Sequence, residues 1–311
     1  MKRIMLVLTY TLVSFVTAVC LFTVMMLVAN SAYAYPANDG NVNQIRPATA
    51  NASVRVNNIA GSIRVQGWNN NQVQVTGTLS GDVTLDIHGS ADDLEIRAVY
   101  PQNSHNHAEA DLTIHVPVAS RLSVNTVSAD IGASGLSGRA QLESVSGDVT
   151  LDSRDSDISA RSVSGEVTIT GSASGTHVFG HSISGDVKIS GVDGYVDAES
   201  ISGTVKVFQS RLGRVRMSST SGNVDFSAPL AKSGNYSFNS TSGNLSLTFS
   251  KTPDARFDIY SFSGDIDNSF GPRAQRTSEY GPGMELHFVS GAGGAQVTAH
   301  TLSGNITLRA P

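Results

Sequence analysis

The chain has 311 residues, a net charge of −5 and only 15% charged residues. Its basic residues are scattered rather than clustered, which argues against a nucleic-acid-binding surface. Aromatic residues make up 6% of the chain and glycine contributes 30 residues, a composition that favours strands and tight turns over helices.

The N-terminus has the features of an export signal. Lys2 and Arg3 precede an apolar run over residues 4–29, and Ala32-Tyr33-Ala34 fits a small-x-small cleavage pattern. The sequence therefore predicts a signal peptide over residues 1–34, cleaved after Ala34. Because the apolar run is long enough to span a bilayer, an uncleaved anchor is the alternative.

The mature chain is predicted to be exported without a disulfide. The only cysteine, Cys20, lies inside the apolar run, and residues 17–19 lack the aliphatic-then-small pattern expected before a lipidated cysteine. Stability must then come from packing and backbone pairing. Residues 35–51 contain two prolines and many polar residues, so we expect a flexible linker there, followed by one domain over 52–311.

One phrase recurs about every 20 residues along this domain, which is the signature of a repeat fold. It consists of Ser-x-Ser-Gly followed by an alternating apolar strand. Weaker copies surround Gly61, Gly81 and Ala129, and the copy between Gly264 and Gly304 is degraded. The clear copies are SVSGDVTL at 144, SVSGEVTI at 162, SISGDVKI at 182, SISGTVKV at 200, STSGNVDF at 219, STSGNLSL at 240, SFSGDIDN at 261 and TLSGNITL at 301.

Each unit divides into two strands in which apolar residues alternate, the pattern of a strand with one buried face. Units of about 20 residues are too short for a crossover that contains a helix. The sequence therefore predicts an all-β fold, a single-stranded β-helix or β-solenoid with coils of about 20 residues, in which Val167, Val187 and Val205 stack about 4.8 Å apart. A β-sandwich or a propeller is the alternative, although a propeller blade needs about twice this period.

The Ser-x-Ser-Gly phrase is interpreted as a corner. Ser162 and Ser164 are expected to share one side of the strand and to bond to neighbouring backbone or to the same serine one coil away. Gly165 is expected to supply a turn conformation closed to other residues. The middle residue, such as Val163, is expected to swing inward after the bend.

The side chains of one interior column become larger along the domain. This predicts a wider core in the C-terminal half, unless the interior side chains of the opposing strands become smaller. An insertion around residues 268–286 is expected to cover the last coils, because the ends of a solenoid otherwise expose unpaired strand edges. The column reads Ala160, Gly180, Ala198, Met217, Phe238 and Ile259.

These repeats resemble a large bacterial family of putative adhesins with β-strand repeats. The likeness rests on the SVSGDV-type phrases and on the stretch SEYGPGMELHFVSGAGGAQVTAHTLSGNITL, and it covers residues 52–311. The resemblance implies an exported or surface-exposed single-stranded β-helix without established catalytic residues. The adhesin function that it implies rests on analogy.

Three carboxylates follow the corner glycine in successive units: Asp148, Glu166 and Asp186. Stacked carboxylates repel one another unless a cation binds or they splay into water. They are interpreted either as a calcium site or glycan-cleaving groove, or as a solvated outer column. The column continues as Thr204 and Asn223, which favours the solvated column.

A second polar group alternates in the stretch SHNHAEADLTIHV. His105, His107, Glu109 and Asp111 would share one face of a strand and could ligate zinc, with His115 nearby. A solvated loop is the preferred interpretation of this stretch.

The sequence predicts that the protein is not an enzyme, with no catalytic, metal-binding or cofactor-binding residues. His177 and His181 share one unit without a distinctive partner pattern, and no Gly-x-Ser-x-Gly elbow is present. The glycines precede strands rather than helices, unlike those of a phosphate-binding loop.

The leading hypothesis is a non-enzymatic exported scaffold, an adhesin or a structural component of the cell envelope. Its expected partner is an envelope or extracellular polymer or protein, not a nucleic acid, and its expected location is the periplasm or the cell surface, with no transmembrane span after signal cleavage. Two alternatives stay open. One is a glycan-active β-helix enzyme, and the other is an envelope-stress or peptide-sensing module that adds a strand at its open edge.

Overall fold

A computed structural model describes residues 40–101, 108–154, 157–171 and 176–311. Within these ranges the chain forms 25 strands that belong to one continuous hydrogen-bonded sheet, and it forms no helix. The sheet winds into coils that stack on one another, which confirms the predicted all-β solenoid. The described residues include no helix that is long and apolar enough to cross a membrane.

The regular part of the solenoid has two strands in each coil, and the Ser-x-Ser-Gly corner joins them. What we call sheet 2 contains the strands before the corner: β8 (Ala140–Ser144), β10 (Ile158–Ser162), β12 (Thr176–Ser182), β14 (Asp193–Ser200), β16 (Arg211–Ser219) and β18 (Leu230–Ser240). What we call sheet 1 contains the strands after it: β9 (Val149–Ser153), β11 (Val167–Gly171), β13 (Val187–Ser190), β15 (Val205–Phe208), β17 (Val224–Ser227) and β19 (Leu245–Thr248).

Successive coils pair in parallel and in register, as the sequence predicts. Val167 pairs with Val187, and Val187 pairs with Val205. All three side chains are fully buried, so they form an apolar ladder that faces the core.

The interior side chains of the two sheets meet in one core. A Cβ atom on Gly180 would lie 3.0 Å from Cγ1 of Val187, so the sheets approach closely at this coil. Further along, the ring of Phe226 in sheet 1 lies 5.1 Å from that of Phe238 and 5.9 Å from that of Tyr236 in sheet 2, measured between centroids. The interior side chains of sheet 1 therefore do not become smaller to compensate for the larger interior side chains of sheet 2.

The N-terminal strands do not stack in chain order. β2 (Ser53–Trp68) and β7 (Arg121–Leu136) each run through the corner, form a whole coil and pair with each other in parallel. β5 (Asp93–Val99) and β6 (Ala110–Pro117) pair in parallel with the other side of β2. Outside them lie β4 (Thr84–Gly89) and β3 (Gln72–Leu79), which are antiparallel to β5 and β6, and then β1 (Gly40–Pro47), which is antiparallel to β3.

Two sequence expectations are wrong in this region. Residues 40–47 of the expected linker form β1, because backbone hydrogen bonds to β3 hold an edge strand that needs only Val42 as a buried anchor. The copy around Gly81 does not form a parallel coil. Its glycine, at φ +64°, lies in the turn between β3 and β4, which run antiparallel to β6 and β5 rather than to each other.

The coils are also permuted at the C-terminal end. β20 (Ala255–Ser261) and β21 (Ile266–Asn268) are separated from β18 and β19 by a coil that comes later in the chain. That coil consists of β24 (Ala295–Thr301), which pairs with both β18 and β20, and β25 (Ile306–Arg309), which pairs with both β19 and β21.

An antiparallel strand covers β20 in the outermost parallel coil, and it begins at the end of the insertion predicted over residues 268–286. β23 (Met284–Ser290) pairs antiparallel with β20, and the short β22 (Gln275–Arg276) pairs antiparallel with β23. The degraded copy of the repeat is therefore a cap rather than a coil, and the stack does not follow chain order.

The corner serine makes two hydrogen bonds that tie one coil to the next. Oγ of Ser162 accepts from the backbone N–H of Gly165 at 2.9 Å and donates to the carbonyl oxygen of Gly147, one coil away, at 3.0 Å. The same pair of bonds recurs at Ser182, Ser200, Ser219 and Ser240. The second serine of the phrase, such as Ser164, is exposed, so the expectation that both serines share the inner side is wrong.

The corner glycines are required for close approach rather than for an unusual backbone conformation. Gly165 is not among the glycines with positive φ, so the expectation that it supplies a turn conformation closed to other residues is wrong. A Cβ atom at this position would lie 2.1 Å from the carbonyl oxygen of Gly147 in the coil below. Only glycine allows the two backbones to stack at this distance.

The middle residues of the phrase point outward and form a half-exposed apolar ridge along the corner, which corrects the expectation that they swing inward. Val163 is half-buried, Phe262 is 37% exposed and Leu302 is 46% exposed. The strand has already turned at this point, so the side chain that follows the buried serine faces solvent.

We predict that Gly165→Ala destabilises the fold by about 1–3 kcal/mol, because the added methyl must push two backbones apart. The matched control is Gly132→Ala, since a Cβ atom there would meet nothing within 4 Å. Urea denaturation of both variants measures the effect. Equal stability of the two variants would contradict the close-approach explanation.

We predict that Ser162→Ala also costs about 1–3 kcal/mol, because it leaves the buried N–H of Gly165 without an acceptor. Ser164→Ala, which removes the exposed serine of the same corner, should change the free energy of unfolding by less than about 0.5 kcal/mol. The midpoints of thermal or urea unfolding distinguish the two, and a larger loss for Ser164→Ala would refute this assignment.

Candidate functional site

The acidic column after the corner glycine has a structural role. The backbone N–H of Glu166 donates to Oδ1 of Asp148 at 2.8 Å, and that of Thr204 donates to Oδ1 of Asp186 at 2.8 Å. Further along, Asn244 donates in the same way to Oδ1 of Asn223 at 3.0 Å. Because an amide oxygen serves as well as a carboxylate, the position requires an acceptor rather than a charge.

Glu166 is held by its neighbours on the outside of sheet 1. Its carboxylate accepts from Nζ of Lys188 at 2.8 Å and from the hydroxyl of Thr168 at 2.8 Å. These bonds lower the pKa of Glu166, the lysine contributing most. The carboxylate is therefore occupied by protein groups and is not poised as a general acid, which requires a raised pKa.

The histidine-rich stretch is only partly within the described residues. His105 and His107 lie outside them. Oδ1 of Asp111 accepts from the hydroxyl of Ser62 at 2.7 Å, and the ring of His115 lies 5.0 Å from that of Trp68. Across the described ranges, no group of three or more His, Cys, Asp or Glu side chains could hold a metal ion.

A different cluster lies on the outer face of sheet 2, between β8 and β16. Alternate residues of each strand point outward, and the parallel register stacks them in columns. Phe179 lies opposite Asp197, and His181 lies opposite Glu199. We call this cluster the sheet 2 grid, and it comprises Glu143, Ser159, Arg161, His177, Phe179, His181, Tyr195, Asp197, Glu199, Arg214 and Arg216.

Tyr195 is the centre of the aromatic part of the grid. Its ring meets those of His177 and Phe179 edge to face, at centroid distances of 5.4 and 5.9 Å. The guanidinium carbon of Arg214 lies 5.9 Å from the same ring, and the hydroxyl donates to Oδ2 of Asp197 at 3.4 Å. Two rungs of the ladder thus present ring surface and polar groups side by side.

The charged groups of the grid are balanced and partly buried. Nη1 of Arg161 pairs with Oε1 of Glu143 at 3.1 Å, and Nδ1 of His181 lies 3.7 Å from Oε2 of Glu199. Burial raises the pKa of Asp197 and of Glu199 above that of an ordinary carboxyl group. Burial raises the free energy of the charged form of these two carboxyl groups, so keeping them ionised in the grid opposes stability.

His181 is the most perturbed group of the grid. Burial, followed by the charges of Arg161 and Arg216, lowers its pKa from 6.5 to about 4. The Glu199 carboxylate acts in the opposite direction, but at 3.7 Å it makes no hydrogen bond that would outweigh burial. The imidazole is therefore neutral at physiological pH.

Three polar atoms of the grid are buried without a hydrogen-bond partner: Oγ of Ser159, Nε2 of His181 and Oδ1 of Asp197. Buried polar atoms are almost always satisfied in folded proteins, so each exception needs a cause. Only two other side-chain atoms of the described residues share this property, one in His115 and one in Ser120. The unsatisfied groups are thus concentrated on one patch of the solenoid.

The sequence around His177 and His181 shows no partner pattern for either residue. The partners Tyr195 and Glu199 lie 18 residues further along the chain, which is one coil, so the contact exists only after stacking. Aligning the outward positions of successive units would have revealed the columns.

Two overlapping segments of the chain, residues 36–212 and 178–309, match the family model described as Toastrack DUF4097. No curated protein matches the chain. The family match covers nearly all of the described residues and includes the sheet 2 grid.

Solved structures give weaker likenesses. A putative adhesin from Bacteroides fragilis is 12% identical, with a TM-score of 0.46, over 89% of this chain and 100% of that chain. A putative adhesin from Parabacteroides distasonis is 10% identical, with a TM-score of 0.40, over 88% and 98%. A putative cell adhesion protein from Clostridium sporogenes is 10% identical, with a TM-score of 0.23, over 87% and 100%. At these TM-scores the likenesses carry no argument about function.

The lowered pKa of His181 predicts a pH dependence of stability. The folded state binds fewer protons than the unfolded state between about pH 6.5 and pH 4, so this histidine costs stability as the pH falls through that window. Compared with His181→Asn, the wild-type chain should lose on the order of 3 kcal/mol between neutral pH and about pH 4.

Urea denaturation at a series of pH values, with the variant as the reference, measures this difference. Ser159→Ala removes a buried polar atom of the same grid without a titratable group, and it should keep the wild-type pH dependence. Parallel pH profiles for the wild type and His181→Asn would show that this imidazole is not buried in its neutral form.

Proposed function

The chain belongs to the Toastrack DUF4097 family, and we propose that it is an exported, non-enzymatic solenoid that binds an extracellular or envelope partner through the sheet 2 grid. The observation that carries the proposal is the cluster of half-buried rings, Phe179 and Tyr195, beside arginine and carboxylate side chains on one face of the solenoid. A surface patch of this kind offers both apolar contact and polar groups to a ligand that covers it.

The opposite side of the solenoid supports the choice of face. On the outside of sheet 1, Glu166 pairs with Lys188 at 2.8 Å, and Lys206 lies 4.0 Å from Asp225. Side chains that already satisfy one another have less to gain from a partner. The corner ridge is mainly apolar, and Thr220 and Thr241 supply the only hydroxyl groups among its middle residues in the clear copies.

The fold supports a role in presentation. Every regular coil is held to its neighbours by ladder hydrogen bonds, by the corner serine and by a fully buried apolar ladder. Side chains on such a backbone are held at fixed spacing, which lowers the ordering cost of binding. Rigid ladders of this length suit an extended partner better than a small molecule.

The export part of the proposal is supported by the sequence of residues 1–34, with Lys2, Arg3 and the Ala32-Tyr33-Ala34 pattern. The absence of cysteine after Cys20 agrees with a chain that is stabilised by packing alone.

The non-enzymatic part is supported by the geometry of the grid. A serine nucleophile needs a base within hydrogen-bond reach, and Oγ of Ser159 has no partner among the described residues. The acidic column that would serve a glycan-cleaving enzyme is bonded to backbone and to Lys188.

We expect the double variant Phe179→Ala/Tyr195→Ala to bind isolated bacterial envelopes or intact cells at least about tenfold more weakly than the wild type, because aromatic anchors supply much of the binding energy at such surfaces. Co-sedimentation of the purified full chain measures binding, and circular dichroism confirms that the variant is folded.

Phe208→Ala is the matched control, because Phe208 is a 37% exposed aromatic residue on the outside of sheet 1. It should bind as the wild type does. The proposal fails if the double variant binds normally, or if the control loses binding to the same extent.

A further inference from the structure

We propose that the ligand of the sheet 2 grid is a neutral glycan chain that lies along the stacked rungs. This inference rests on the proposed function and deepens it by naming the class of partner. The balance of charge, the mixture of hydrogen-bond donors and acceptors, the aromatic rings and the closed backbone of the grid each support it.

The grid has equal numbers of positive and negative side chains, so its net charge does not favour binding of a charged polymer. Arg161, Arg214 and Arg216 are matched by three carboxylates, those of Glu143, Asp197 and Glu199. His181 adds no charge, because its pKa is lowered to about 4. A polyanion or a polycation would gain on one half of the grid and lose on the other, since attraction and repulsion would nearly cancel.

The polar groups of the grid include both donors and acceptors. The arginine side chains donate, the carboxylates accept, and the Tyr195 hydroxyl can do both. A sugar hydroxyl does both as well, so a row of hydroxyls can pair with donors and acceptors alike without a change in protonation. A lipid chain has no group that can do so.

The aromatic rings complement the apolar side of a sugar. Phe179 and Tyr195 stand on adjacent rungs and are half-buried, so part of each ring is open to solvent. Aromatic side chains combine a large apolar surface with a polar edge, which suits a ligand that has C–H groups on one side and hydroxyls around its rim.

A peptide partner is less suited to this surface. Peptide segments bind sheets mainly by adding a strand at a free edge, where backbone groups are unpaired. The grid lies on the flat outer side of β10, β12 and β14, whose backbones pair with neighbours on both sides. Only side chains are available there.

Uncharged polar side chains continue one outer column beyond the grid in both directions, as far as Arg97, which pairs with Asn57, and His300, which pairs with Asn239. Towards the N-terminal end, the same outer column contains Asn57 and Asn125, whose side chains lie 3.4 Å apart, and beyond β14 it contains Ser218 and Asn239. Rungs about 4.8 Å apart offer repeated amide and hydroxyl groups to a polymer with a regular repeat. The ligand is therefore expected to be a chain rather than a single sugar.

Affinity electrophoresis and titration calorimetry of the full chain test this proposal. The neutral probes are hydroxyethylcellulose, xylan, dextran and a chitin oligomer, and the anionic probes are polygalacturonate and heparin. We expect at least one neutral probe to bind with an affinity that hardly changes between low and high salt. The affinity should fall at least about tenfold in Phe179→Ala/Tyr195→Ala and stay unchanged in Phe208→Ala.

A second variant pair tests the polar half of the grid and does not depend on the rings. His181→Gln/Asp197→Asn keeps side-chain size and removes the imidazole and the carboxylate, so it should weaken the neutral probe. If the aromatic variant does not fold, this pair decides the outcome.

The results separate the failure of this inference from failure of the proposed function. Binding of anionic probes alone, lost at high salt, or no binding of any neutral probe while envelope adsorption still depends on the grid, would overturn the glycan assignment and leave the proposed function standing. Envelope adsorption that is unaffected by every grid variant would overturn both.

Discussion

The whole structure depends on how closely two corner backbones can approach. Gly165 lies so near the carbonyl oxygen of Gly147 that a methyl group would be 2.1 Å from it, and Ser162 bonds across the same gap. This contact lets the corners follow the spacing that the ladder hydrogen bonds set between coils, so that each apolar ladder lies in register with the next.

Both ends of the stack are permuted, and an antiparallel strand lies outside the parallel strands at each end. A parallel stack that simply stopped would expose a full row of N–H and C=O groups. At the N-terminal end, the chain leaves a gap beside β2, continues as the antiparallel strands β3 and β4, and then fills the gap with β5 and β6. At the C-terminal end, it leaves a gap between β18 and β20, continues to the antiparallel strand β23, and then fills the gap with the coil of β24 and β25. The same solution at both ends gives a solenoid whose parallel coils lie between antiparallel strands.

This architecture separates stability from binding. The core, the corner serines and the oxygen acceptors of the Asp148 column satisfy themselves within the stack. The other outward-facing columns do not hold the coils together, so their residues can differ from one coil to the next. The sheet 2 grid uses that freedom, placing Phe179, Tyr195 and His181 where neighbouring rungs bring them together.

The sequence by itself determined the solenoid, its period and its ladders, because the two-residue alternation and the spacing of the corner glycines are local and repeat along the chain. It identified Ser162 and Gly165 as corner residues, although it gave the wrong reason for the glycine. Only the tertiary structure decided the order of the coils. The repeat phrase at β24 would read the same at any position in the stack, so no local pattern identifies the strands that β24 pairs with. The grid was decided in the same way. His181 meets Glu199 because one coil stacks on the next, and a contact 18 residues apart follows from the register between strands rather than from the residues within one.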